Sequence, residues 1–81
     1  MKAKTSDERL VLALYEAAHE SGDIQAPFDR YEIGKRVSLQ PKGIDTICTL
    51  LLQANFIKKQ EGKAIYLTKH GEALAKRLLS E

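Results

Sequence analysis

The sequence contains one cysteine, no tryptophan and only two prolines. Because Cys48 has no second thiol to pair with, an internal disulfide and a cysteine metal cluster are excluded, which agrees with a reducing compartment. No uninterrupted apolar run approaches the roughly 20 residues that cross a bilayer, and the charged amino-terminal residues lack the apolar stretch of a secretory signal. We therefore expect a cytoplasmic protein with no membrane partner.

Motifs that carry enzymatic chemistry are also absent. The sequence has no glycine-rich phosphate loop, no nucleophile motif and no zinc signature. His19 and His70 are far apart in the sequence, and we expect neither a metal site nor a catalytic base at either position. The 81 residues suffice for one domain, residues 1–81, whose core requires most of the apolar side chains. These features predict a protein that is not an enzyme and that has no metal, cofactor or small-molecule ligand.

Charge is present in a mildly basic excess and is unevenly distributed. The formal net charge is +2 and the isoelectric point is about 8.8. Residues 1–28 carry three basic and five acidic side chains, whereas residues 29–81 carry ten basic and six acidic ones. The basic part of the chain is also the part that the patterns below assign to binding, although an excess this small also fits an ordinary solvated surface.

Helical patterns occupy the first two thirds of the chain. A first helix is expected over about residues 6–20, where apolar residues recur every three or four positions. Residues 24–28 form a short extended piece. Asp29 can cap a short second helix, in which Ile33 and Val37 point inward.

Glycine and proline positions define the step from the second helix to a third. Gly34 lies in the middle of the second helix, where it costs about 1 kcal/mol relative to alanine and so indicates a close approach by another backbone. Residues 37–40 form a turn, and Pro41 fits the first position of a third helix that extends to about Ala54. Asn55 can adopt the left-handed conformation that ends a helix.

The third helix is amphipathic. Its inward stripe consists of Ile44, Ile47, Cys48 and Leu51, widened by Leu50 and Leu52. Cys48 on this stripe is interpreted as a small buried hydrophobe and not as a redox sensor. The outward side is polar and consists of Lys42, Asp45, Thr46, Thr49 and Gln53. Tyr15, Tyr31 and Tyr66 stand beside apolar neighbours and are interpreted as the edge of the core.

An alternating pattern follows the third helix. Residues 56–59 and 64–67 are rich in β-forming side chains, and residues 60–63 between them contain the glycine that a hairpin needs. Thr68 can cap a last helix. Three leucines are expected at the buried edge of that helix: Leu74, Leu78 and Leu79. The expected order is therefore three helices, a hairpin and a closing helix.

Two stretches resemble the winged helix-turn-helix superfamily, which is found in many bacterial and archaeal regulators. Residues 32–59 read EIGKRVSLQPKGIDTICTLLLQANFIKK and are similar to the family's helix, turn, recognition helix and start of the wing. Residues 65–79 read IYLTKHGEALAKRLL and are similar to its strand-to-helix ending. The sequence departs from the family's pattern at Asn55, where glycine is common, and at Gln40, where a serine or threonine cap is expected. The resemblance implies a mainly helical α+β fold with a three-helix helix-turn-helix core, a β-hairpin wing and a C-terminal helix.

The same resemblance implies binding of double-stranded DNA, as by a transcriptional regulator. A recognition helix at about 41–54 would enter the major groove, and a wing at about 56–67 would contact the backbone. The side chains expected to bind DNA are Lys42, Thr46, Thr49 and Gln53 on the recognition helix, Lys58, Lys59 and Lys63 on the wing, and Arg30, Lys35 and Arg36 on the second helix. Each of these three groups also has an explanation that does not involve DNA. The helix residues fit a solvated helix face, the hairpin lysines fit protection against edge-to-edge aggregation, and the second-helix residues fit ordinary surface charge.

Partner and oligomeric state each have an alternative. The recognition helix carries a single basic residue, and Asp45 beside it would repel phosphates, which favours a protein-interaction module that uses the same fold inside a larger assembly. The domain could act as a monomer or as a homodimer through its first and last helices. Four leucines would supply the dimer contact: Leu12, Leu74, Leu78 and Leu79.

Overall fold

The computed structural model describes residues 4–81 and consists of four helices and three short strands. In chain order they are α1 (Ser6–Ser21), β1 (Phe28–Asp29), α2 (Arg30–Arg36), α3 (Pro41–Gln53), β2 (Ile57–Lys59), β3 (Ala64–Leu67) and α4 (Lys69–Leu79). The mainly helical α+β class that the sequence predicts is confirmed. Within the described residues, no helix combines the length and the apolar composition that crossing a membrane requires.

Local signals fix both ends of α1. The Thr5 hydroxyl accepts a hydrogen bond from the Glu8 amide, and the Glu8 carboxylate accepts one from the Thr5 amide at 2.9 Å. Gly22 ends the helix in the left-handed conformation, with a φ of 85°. The side chains that α1 buries between these ends are Leu10, Val11, Ala13, Leu14, Ala17 and Ala18. α1 is therefore the central helix of the core.

The sheet has one strand more than the expected hairpin. Its order is β1-β3-β2, and both pairings are antiparallel. Phe28 stands opposite Ile65 in one pairing, and Ile57 stands opposite Leu67 in the other. The extended piece before α2 thus ends in an edge strand. Two residues are too few to show an alternating pattern, so the sequence predicted only an extended piece there.

The apolar stripe of α3 faces the core, with one exception. Ile44, Cys48 and Leu51 are buried, and Leu52 is partly buried. Leu50, however, exposes 55% of its surface. It follows Cys48 by two residues and therefore lies about 200° around the helix axis from it. The expectation that Leu50 widens the buried stripe is wrong.

A tight turn joins α2 to α3. The Gly34 carbonyl accepts hydrogen bonds from the amides of Val37 at 3.1 Å and Leu39 at 3.0 Å, and Ser38 has a φ of 59°. A Cβ atom at Gly34 would lie 2.1 Å from Cδ1 of Ile44. The glycine does allow a close approach, but the neighbour is a side chain of α3 and not the backbone that the sequence predicted.

The start of α4 is fixed to the end of α3. The Thr68 hydroxyl donates to the Asn55 carbonyl at 2.6 Å and accepts from the Gly71 amide at 3.0 Å. Asn55 has a φ of 64°, the left-handed conformation expected of it. A Cβ atom at Gly71 would lie 2.0 Å from the Phe56 carbonyl oxygen. These contacts hold α4 and the base of the hairpin in one arrangement.

The three leucines of α4 have different surroundings. Leu78 is buried, Leu74 is partly buried, and Leu79 exposes 54% of its surface. Leu79 is therefore not part of the buried edge expected from the sequence. Leu78 belongs to the core of a single chain, so it is not available for contact with a second copy.

Candidate nucleic-acid interface

One side of α3 is uncovered along its whole length. Lys42, Thr46, Thr49 and Gln53 are all exposed, and they lie opposite the buried Ile44. Because these four residues are spaced by three, four or seven positions, they share one face of the helix. The structure thus brings together the four helix residues that the sequence analysis assigned to binding.

The two threonines on this face already use their hydroxyl protons. Thr46 Oγ1 donates to the Lys42 carbonyl at 3.3 Å, and Thr49 Oγ1 donates to the Asp45 carbonyl at 3.0 Å. Each hydroxyl oxygen can still accept a hydrogen bond, but it has no second proton to donate. The side-chain donors of the face are therefore the ammonium group of Lys42 and the amide group of Gln53.

Asp45 lies at the edge of the face and is held by α2. The Tyr31 hydroxyl donates to Asp45 Oδ1 at 2.6 Å, and Arg30 Nη1 lies 3.9 Å from the same oxygen. The hydrogen bond to Asp45 raises the pKa of Tyr31, and burial raises it further. The sequence predicts Tyr31 at the edge of the core but does not predict this contact, because nothing in the local pattern relates two residues 14 positions apart.

Arg30 connects the hairpin to α2. Its backbone amide and its Nε both donate to the Lys63 carbonyl at 3.1 Å, and its side chain is only 12% exposed. Lys63 Nζ lies 5.3 Å from the centre of the Tyr31 ring, within range of a cation–π contact. Arg30 was expected to touch a DNA backbone. In the structure it positions the hairpin beside α3.

The two adjacent lysines of β2 lie on different faces of the sheet. Lys58 stands opposite Tyr66, whereas Lys59 stands opposite the buried Ile65. Because successive strand residues point to opposite faces, Lys59 is on the face that packs against the helices. Burial raises the pKa of the Cys48 thiol, and the charges of Arg30 and Lys59 oppose that rise, which agrees with a position of Lys59 near α3.

No protein-family model and no curated protein matches this sequence. Within residues 4–81, no three side chains of the metal-binding types are grouped so that they could hold an ion.

The remaining two candidates lie away from α3. Lys35 Nζ is 3.6 Å from Glu32 on its own helix. Arg36 Nη1 is 3.3 Å from Glu20, so this side chain is directed toward α1. α1 packs on the buried side of α3, opposite the uncovered face. The structure therefore does not bring Lys35 or Arg36 together with the four exposed residues of α3.

Proposed function

We propose that the chain is a winged-helix domain that binds double-stranded DNA without catalysing a reaction, as a transcriptional regulator. In this proposal α3 is the recognition helix, and the β2–β3 hairpin is the wing. The observation that carries it is the uncovered polar face of α3, which the described part of the chain leaves free along the full length of the helix. A helix about 10–12 Å in diameter matches a major groove about 12 Å wide.

The charges beside this face support DNA as the partner. Lys42, Lys59 and Lys63 have no carboxylate within 4.0 Å among the described residues. The acidic group that would oppose phosphates, Asp45, is hydrogen-bonded to Tyr31 and lies near Arg30. Three cations without a carboxylate partner and a compensated Asp45 favour contact with phosphates, and the small number of cations limits how strongly such contacts can bind.

Binding can be measured by fluorescence anisotropy with a labelled duplex of random sequence. If Lys42, Lys59 and Lys63 each neutralise one phosphate, affinity should fall about 40-fold between about 50 and about 200 mM salt, because each phosphate contact contributes about 0.9 to the logarithmic slope. A salt-independent affinity would contradict phosphate contacts by these lysines.

Charge-matched variants locate the interface. Lys42→Gln and Lys59→Gln should each weaken binding and lower the slope by about 0.9. Lys76→Gln is the control, because Lys76 lies on α4 and is paired with Glu72 at 3.2 Å. It removes the same charge and should leave the slope unchanged. Equal losses of DNA affinity in all three variants would mean that the net charge of the protein, and not the α3 face, determines binding.

A protein-interaction module in a larger assembly is the second candidate. The exposed Leu50 on α3 favours it, because apolar side chains are common at the centres of protein interfaces. Failure of the domain to bind any duplex at low salt would favour this candidate over DNA.

A further inference from the structure

Leu50 lies at one edge of the face that is proposed to enter the major groove, and Asp45 lies at the other edge. Leu50 follows Thr46 by four residues and precedes Gln53 by three, so these side chains are neighbours on the helix surface. More than half of Leu50 is exposed, at 55%. An isolated exposed leucine requires no explanation, but a leucine at the edge of a recognition face affects which bases that face can contact.

The same face has few hydrogen-bond donors. The hydroxyls of Thr46 and Thr49 donate to carbonyl groups of their own helix. Between Lys42 at one end and Gln53 at the other, the side chains on this face therefore offer methyl groups and oxygens that only accept. The middle of α3 has nothing to donate to a base.

Base pairs differ in what they present to such a surface. Both kinds of base pair present two acceptors and one donor: N7 and O6 of guanine with N4 of cytosine, or N7 of adenine and O4 of thymine with N6 of adenine. Thymine presents a 5-methyl group, which packs well against an apolar side chain. Adenine presents a donor at N6 beside an acceptor at N7, and the amide of Gln53 can pair with both.

We propose that α3 prefers A·T base pairs and that Leu50 is a specificity-determining residue, which contacts the 5-methyl groups of thymine. The inference rests on the proposed DNA binding and names the base pairs that this surface selects. Selection comes from the apolar contact between Leu50 and the thymine methyl group, which a G·C pair cannot supply.

The test compares three duplexes of equal length at the same low salt concentration. One has alternating A·T pairs, one is identical except that uracil replaces thymine, and one has alternating G·C pairs. Uracil differs from thymine only by the missing 5-methyl group. We expect the wild-type protein to bind the thymine duplex most tightly and to lose about threefold to fourfold for each methyl group that it contacts, the factor expected for burying one methyl group. Leu50→Ala should show a smaller difference between the thymine and uracil duplexes than the wild-type protein does.

Leu79→Ala is the matched control. Leu79 is as exposed as Leu50, at 54%, but lies on α4, so this variant should keep the wild-type difference between thymine and uracil. Circular dichroism of both variants checks that they are folded. If the wild-type protein binds all three duplexes equally, the A·T preference is overturned and DNA binding stands. If it binds none of them, both proposals fail, and Leu50 belongs to a surface for a protein partner.

Discussion

The phenol ring of Tyr31 connects three parts of the protein. Its hydroxyl donates to Asp45 on α3, and Lys63 of the hairpin lies over its ring at 5.3 Å. Arg30, the preceding residue, bonds the Lys63 carbonyl with its Nε. Tyr31 and Arg30 thus hold α3 and the hairpin in a fixed relation, and in the proposed function they act by positioning the two elements that contact DNA.

The pKa of Tyr31 gives a direct test of the contact with Asp45. The hydrogen bond raises this pKa above the ordinary value of 10.0, because a phenolate has no proton to donate. A raised folded-state pKa means that the contact stabilises the fold fully below pH 10.0 and that its contribution is lost as the pH rises through the raised value. Asp45→Asn should lower the pKa of Tyr31, as measured by NMR titration of ¹³C-labelled tyrosine rings.

Glu32→Gln is the control for this titration. Glu32 neighbours Tyr31 in sequence, but its carboxylate is paired with Lys35 at 3.6 Å. The variant should leave the pKa of Tyr31 unchanged. A Tyr31 pKa that is the same in Asp45→Asn as in the wild-type protein would show that the two side chains are not bonded in solution.

The directions of individual side chains were the least predictable part of the site. The sequence identified Thr46 and Thr49 as outward residues, because helix periodicity determines the face. It did not predict that their hydroxyls donate to carbonyl groups of the preceding turn. That choice depends on side-chain rotation, which no spacing in the sequence reveals.

Helices and their ends were the most predictable part of the fold, because their signals are local. Thr5 and Thr68 cap α1 and α4 as their residue types predict, and Gln40 makes no side-chain hydrogen bond at the start of α3. The strand β1 was missed, because its two residues become a strand only by pairing with Ala64 and Ile65, far along the chain. Local patterns contain no information about such a partner.

Alanine should have opposite effects on stability at two helical glycines, Gly71 at the junction between α3 and α4 and Gly43 in the first turn of α3. Gly71→Ala should lower the free energy of unfolding by at least about 2 kcal/mol, because its Cβ would overlap the Phe56 carbonyl oxygen, which the Thr68 amide already bonds. Gly43→Ala should raise it by about 0.5 kcal/mol, since a Cβ built there has no atom of the described residues within 4 Å apart from its chain neighbours and its own helix backbone, and alanine is the better helix former. Urea denaturation followed by circular dichroism measures both values. Equal stabilities of the two variants would contradict the close contact at Gly71.

The sequence shows where acidic and basic side chains lie along the chain, but it does not show which of them share a surface of the folded domain. The counts for residues 1–28 and 29–81 showed where the basic excess lies along the chain. They could not show that Lys58 and Lys59 face opposite sides of the sheet, or that Arg36 pairs with Glu20 of α1. Only the folded arrangement reduces the seven basic candidates to Lys42 on the uncovered face of α3 and to Lys59 and Lys63 on the hairpin.

Because each copy of the protein offers only three cations to DNA, the salt dependence of binding shows how many copies bind one duplex. Three phosphate contacts predict a slope of about −3 for log affinity against log salt when one copy binds, and about −5 when two copies bind together. A homodimer through α1 and α4 would have to use Leu79 and the partly buried Leu12 and Leu74, because Leu78 is in the core. The slope, with the mass of the complex measured by light scattering, distinguishes these cases. A slope of about −3 for a complex that contains two copies would mean that the second copy binds the first and not the DNA.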